Sequence, residues 1–117
     1  GYEAMSALDL DVNAALDAVG GDEELLAAVM QVFLDTAPEL WLALAMPATT
    51  DAEAQQVAHR LKGGSGSIGA FRLAEIAGLI EQTLRQQQPG GWRHLLPELL
   101  DAAQQSQVCV RGYLSKL

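Results

Sequence analysis

The residues best suited to chemistry lie in one run, Ala58-His59-Arg60-Leu61-Lys62-Gly63-Gly64-Ser65-Gly66-Ser67-Ile68-Gly69-Ala70. A neutral imidazole always keeps a lone pair on one ring nitrogen, so His59 can attack an electrophile or take a proton. Lys62, at i+3 on a helix, would stand next to any anionic group the ring acquired, a phosphoryl group above all. The glycines admit two readings. A glycine inside a helix costs about 0.5–1 kcal/mol relative to alanine. Gly63, Gly64 and Gly66 therefore either end the helix in a loop or strip one face of it so that another protein can approach the imidazole. Propensity alone favours the loop.

Helical phase gives His59 a direction. At about 100° per residue, Val57, Ala58, Leu61, Ser65 and Ile68 fall in one arc. His59 lies outside that arc, on the side shared by Gln55, Lys62, Gly63 and Gly66. This is an exposed face and not a core stripe. If the chain reverses near Ile68-Gly69-Ala70, residues whose numbers sum to about 140 face each other across two antiparallel helices. His59 then meets Glu81, and Lys62 meets Gly78. A carboxylate beside one ring nitrogen fixes the tautomer and leaves the other nitrogen free to attack.

The elements that must hold these residues are helical throughout, with no alternation typical of a half-buried strand. The pattern predicts helices over residues 6–19, 22–46, 51–67, 70–88 and 92–117. Ser6 is expected to cap the first, with Asp9 three residues on, and Gly20-Gly21 to stop it. Asp22 caps the second, with Glu23 and Glu24 favourably placed in its first turn and Leu25, Leu26, Val29, Val32 and Phe33 as its apolar stripe. Pro38 should kink or break that helix, because it lacks a donor and crowds the preceding turn. Thr50-Asp51-Ala52-Glu53 reads as a capping box. The fourth helix has Phe71, Leu73, Ile76, Leu79, Ile80 and Leu84 as its apolar set, and Pro97 is tolerable only near the start of the fifth.

Composition narrows the function classes. The chain has 117 residues, half of them hydrophobic, which suits one domain with its own core. Its single cysteine, Cys109, excludes an internal disulfide and fits a reducing, cytoplasmic setting. No apolar run approaches the roughly 20 residues of a membrane span; the longest candidate, around Trp41 to Met46, is interrupted by Pro47. The opening Gly1-Tyr2 suggests a piece of a longer protein. Net charge is −8, and residues 1–53 carry eleven acidic residues and no Lys or Arg. Such a chain should repel nucleic acid and anionic membranes, while Arg60, Lys62 and Arg72 leave a basic patch for an acidic partner surface.

Other motif readings fail on context. Gly64-Ser65-Gly66-Ser67-Ile68-Gly69 fits the dinucleotide fingerprint formally, but no strand precedes it. Lys62 comes before the glycines, so the run is no P-loop. His59, His94 and Cys109 lie too far apart in sequence to suggest a metal ligand set, and no metal is expected.

The string from His59 through Lys62-Gly63 to Gly69-Ala70 closely resembles the phosphoacceptor motif of histidine-containing phosphotransfer (HPt) domains. Gly20-Gly21-Asp22-Glu23-Glu24-Leu25-Leu26, Phe33, Pro38-Glu39-Leu40, Leu73 and Leu79-Ile80-Glu81 extend the resemblance over most of the chain, toward domains of bacterial hybrid sensor histidine kinases. The resemblance implies an all-α, antiparallel four-helix bundle with an additional short N-terminal helix, residues 1–117 forming one domain. It implies that His59 is the phosphoacceptor, receiving a phosphoryl group from a receiver-domain aspartyl phosphate and passing it to another receiver domain in two-component signal transduction. Lys62, Gly63 and Glu81 would support the phosphoryl site; Glu81 stands twenty-two positions after the histidine, where the family commonly has Glu or Gln. Gln55, Arg60, Gly66 and Arg72 are expected to meet the partner, a response-regulator receiver domain. No cofactor and no nucleotide site are expected here, magnesium belonging to the receiver, and the isolated domain is expected to be a monomer without nucleic-acid or membrane contact. The chain departs from the family pattern at Gly64, where Ser is more usual. Two other readings stay open: the phosphoacceptor domain of a chemotaxis-type kinase, and a non-catalytic bundle that binds a partner through the same face.

Overall fold

Side-chain caps decide where the helices begin. The computed structural model describes residues 9–88 and 91–117. Within them, α1 spans Val12–Ala18, α2 Glu23–Ala45, α3 Asp51–Ser67, α4 Phe71–Arg85 and α5 Leu96–Leu114, the last preceded by a 3₁₀ turn over Arg93–Leu95. Asp22 Oδ1 accepts the Leu25 N–H at 3.0 Å, and Thr50 Oγ1 accepts the Glu53 N–H at 3.2 Å, as the sequence predicts for α2 and α3.

Among the described residues the expected first helix is interrupted: Asp9 is helical, Leu10 and Asp11 are not, and α1 begins at Val12. Asp11 donates its backbone N–H to the Gly69 carbonyl at 2.9 Å, so that group is not available to a helix running through it. Its side chain instead accepts the Ala14 N–H at 3.0 Å and caps α1. Ser6, the expected cap, lies outside the described residues. Gly20 and Gly21, with φ of 66° and 81°, end α1 where expected.

Pro38 does not break α2, which runs uninterrupted from Glu23 to Ala45. Leu26, Met30, Phe33, Ala37, Trp41 and Leu44 are buried at helical spacing on both sides of the proline, and that burial outweighs one lost backbone bond. Trp41 belongs to this core, its ring centroid 6.2 Å from that of Phe33. Leu25 and Val32, expected on the stripe, are exposed instead. Among the described residues, α2 alone is long and apolar enough to cross a membrane by composition. Of that apolar stretch, 28% is buried inside the bundle.

The helices α2, α3, α4 and α5 pack as a ring, each touching the next and α5 returning to α2, with α3 and α4 in the most extensive contact. Short connections make successive helices antiparallel, which gives an all-α four-helix bundle with α1 laid against α2. Among the described residues there is no strand, so the glycine run lacks the setting of a dinucleotide site. In α4, Leu73, Ile76, Ala77 and Ile80 face the core, whereas Phe71 and Leu79 turn outward. That helix ends at Arg85, short of the expected 88, as Gln87 enters the left-handed region at φ 50°. Pro97 sits in the first turn of α5. Arg93 closes the opposite connection by donating to the carbonyls of Met46, Pro47 and Thr49 while lying over the Trp92 ring.

Two details fix the α3–α4 turn. Gly69 has φ 80°, and a Cβ there would overlap the Asp11 carbonyl oxygen. Only glycine lets the chain before α1 lie so close to this turn.

Candidate functional site

The glycine run is helix, not loop. α3 continues through Gly63, Gly64 and Gly66 to Ser67, because Leu61, Ser65 and Ile68 on its other side are fully buried. Tertiary packing overrides the weak local propensity. A Cβ added at Gly63, Gly64 or Gly66 would have nothing within 4 Å. Among the described residues these glycines therefore serve no packing need.

His59 stands on that stripped face, its side chain 64% exposed. Its Nδ1 lies 2.7 Å from Glu81 Oε2, across the α3–α4 pair, as the hairpin register predicts. The same register holds for Lys62 and Gly78: a Cβ at position 78 would touch Lys62 Cδ at 3.5 Å. With Nδ1 turned to a carboxylate, the proton belongs on Nδ1, and Nε2 carries the lone pair toward solvent.

Glu81 is the organising group. Its side chain is only 5% exposed, and it gathers three donors. Besides His59, Lys62 Nζ lies 3.5 Å from Oε1 and Arg85 NH2 3.0 Å from Oε2. Burial pushes the carboxyl pKa up. The hydrogen bond to His59 and the charges of Arg85, His59 and Lys62 outweigh that, and the net direction is down. Glu81 is thus held as an anion, which keeps the ring tautomer fixed.

Ala52, Gln55, Gln56, His59, Arg60, Glu81 and Arg85 line an open groove around the imidazole, and among the described residues Glu81 is its only acidic member. Gln55 and Arg60, expected at the partner surface, are therefore beside His59. Gly63 is exposed and Gly66 half-buried on α3. Arg72 is the exception. It lies nine residues before Glu81 on α4, about 13 Å along the axis, and its guanidinium is engaged by Asp9 at 3.4 Å and Asp101 at 2.9 Å. That double pairing ties the chain before α1 to α4 and α5 and gives Arg72 a part in the scaffold.

Sequence reasoning missed Arg85. The signal was present, since Glu81 and Arg85 are spaced i, i+4 on one helix. It also missed an apolar groove between α2 and α3, where Val29, Val32, Thr36 and Leu40 face Arg60, Gly64 and Ser67. Periodicity alone cannot reveal that groove, because these α2 residues read as core.

The family model described as Hpt domain matches residues 28–108, more than half of the chain and all of α3 and α4. The chain belongs to the Hpt domain family. Comparison with curated proteins and with solved structures gives no match. Hpt domains are phosphocarrier modules that pass phosphoryl groups on histidine in phosphorelay, two-component signalling, without a nucleotide site of their own. They interact with response-regulator receiver domains.

Proposed function

We propose that His59 is the phosphoacceptor of this Hpt domain, taking a phosphoryl group from a receiver-domain aspartyl phosphate and returning it to the aspartate of another receiver. The observation that carries this reading is the His59 Nδ1 to Glu81 Oε2 contact of 2.7 Å on a glycine-stripped face. It leaves Nε2 as the free nucleophile where a second protein can reach it.

The Nε2 lone pair attacks phosphorus in line with the aspartyl oxygen, the new N–P bond forms, and the P–O bond breaks with its electron pair leaving on the carboxylate. The ring becomes cationic as the bond forms. Glu81 faces the Nδ1–H and stabilises that charge, while Lys62 meets the charge of about −2 on the phosphoryl group. Transfer onward is the reverse sequence with a new carboxylate. Magnesium belongs to the receiver in this reading, since Glu81, the one carboxylate among the described residues lining the groove around His59, is already taken by three donors. Gly63, Gly66, Gln55 and Arg60 would lie under the docked receiver. The whole chain, residues 1–117, would act as one monomeric cytoplasmic module of a sensor kinase.

A phosphorylated receiver domain should label the chain with an acid-labile, base-stable phosphate that is absent in His59→Gln. Absence of label with every receiver of the source organism would defeat the reading and leave a module that only binds.

A further inference from the structure

The three donors on Glu81 are not equivalent. His59 Nδ1 and Arg85 share Oε2 at 2.7 and 3.0 Å, whereas Lys62 approaches the other oxygen at a looser 3.5 Å. The Lys62 side chain is 53% exposed, and its stem runs over Gly78, where no side chain hinders it. Lys62 is placed to swing from Glu81 toward a phosphoryl group on Nε2. Arg85 is itself 61% exposed, but it stands one turn along the same helix as Glu81, so its contact is intrahelical at 3.0 Å and does not depend on the position of α3.

We infer that Arg85 is a positioning residue for phosphoryl transfer, holding the Glu81 carboxylate when Lys62 leaves it for the phosphoryl group. The inference rests on the phosphoacceptor reading of His59. Its physical basis is the burial of Glu81. A carboxylate with 5% of its side chain exposed has little water to fall back on. Without a second cation it would retain Lys62, and the transferring phosphoryl group would lose its countercharge. With Arg85 in place, the exchange is between two anions of which one is already paired. Lys62 therefore moves at little cost, and the Nδ1–H remains aligned on Oε2.

Phosphoramidate tests this without a partner protein. The Nε2 lone pair forms the N–P bond as the P–N bond of phosphoramidate breaks, and the nitrogen departs as ammonia with the electron pair. Arg85→Ala should slow labelling about tenfold, the scale of one charge-assisted partner. Arg85→Lys should recover most of that rate, because a lysine at i+4 also reaches the carboxylate. In a Glu81→Gln background, Arg85→Ala should change the rate less than about twofold, because a neutral amide requires no cation. Equal slowing in both backgrounds would overturn the inference, placing Arg85 in direct contact with the phosphoryl group. An unchanged rate for Arg85→Ala with wild-type His59 labelled would overturn it as well, leaving the phosphoacceptor reading intact. Failure to label His59 in the wild type, from phosphoramidate and from receivers alike, would remove the reading and the inference together.

Discussion

Replacing Gly63, Gly64 and Gly66 together by alanine should make the domain more stable and a worse partner. Each glycine sits inside α3, and an added Cβ meets nothing within 4 Å. Each substitution should then return the ordinary helix preference of about 0.5–1 kcal/mol. Since an added Cβ at each meets nothing within 4 Å, the three preferences sum to first order to roughly 1.5–3 kcal/mol. At about 4 °C per kcal/mol for a domain of this size, thermal unfolding should rise by roughly 6–12 °C. Function should move the other way. Gly63 is one turn from His59, and its new methyl would stand beside the imidazole where a receiver must approach. Receiver-dependent transfer should fall about tenfold or more, the scale of a modest steric penalty in the docked complex. Labelling by phosphoramidate, a small donor, should stay within about twofold. Calorimetry and the two labelling assays on one variant decide the matter. A melting point that does not rise would refute the helical reading of the glycine run. Unimpaired transfer from a receiver would refute its use as a docking face.

Gly69→Ala should cost roughly 2–3 kcal/mol, combining a left-handed backbone with overlap on Asp11; a urea midpoint equal to wild type would show that α1 does not lie against the α3–α4 turn. Ser65→Ala should raise stability by about 1 kcal/mol, because the Ser65 hydroxyl is fully buried and has no hydrogen-bond partner among the described residues; a loss of stability would mean that this hydroxyl is bonded in solution. The Glu81 carboxyl has a folded-state pKa below the ordinary 4.5, so its contribution to stability is full above that value and is lost as pH falls through the folded pKa. The stability difference between wild type and Glu81→Gln should therefore be full above the ordinary carboxyl value and shrink as acid drives Glu81 through its lower folded-state pKa; a difference that grows on acidification would contradict the sign.

Much of the site was legible because two simple constraints meet there. Helical phase sends His59 outward, and a reversal at Gly69 sets the register that brings Glu81 to it. Caps at Asp22 and Thr50 were legible for the same reason, being local chemistry at fixed offsets. What escaped depends on contacts distant in sequence. Arg72 looked free for a partner, yet Asp9 lies 63 residues before it and Asp101 29 residues after it. Pro38 looked like a break, yet the packing of Ala37 and Trp41 carries α2 across it. Leu25, Val32, Phe71 and Leu79 looked like core, since composition cannot tell a stripe from its outer flank.

The core itself sets the reach of the site. Ala54 and Ala58 on α3 and Ala77 on α4 are fully buried, and Gly78 follows directly on the α4 side. Small residues at a helix pair allow close axial approach, and close approach lets a short carboxylate side chain span from α4 to an imidazole on α3. Buried alanines on α3 and α4 favour the close spacing at which Glu81 reaches His59 at 2.7 Å. α3 works in two directions at once, with Leu61 and Ser65 packed inward while His59, Lys62 and Gly63 face out. A change in the volume of the inner face would alter the spacing between the helices, and so the orientation of the imidazole, before it altered any residue on the outer one.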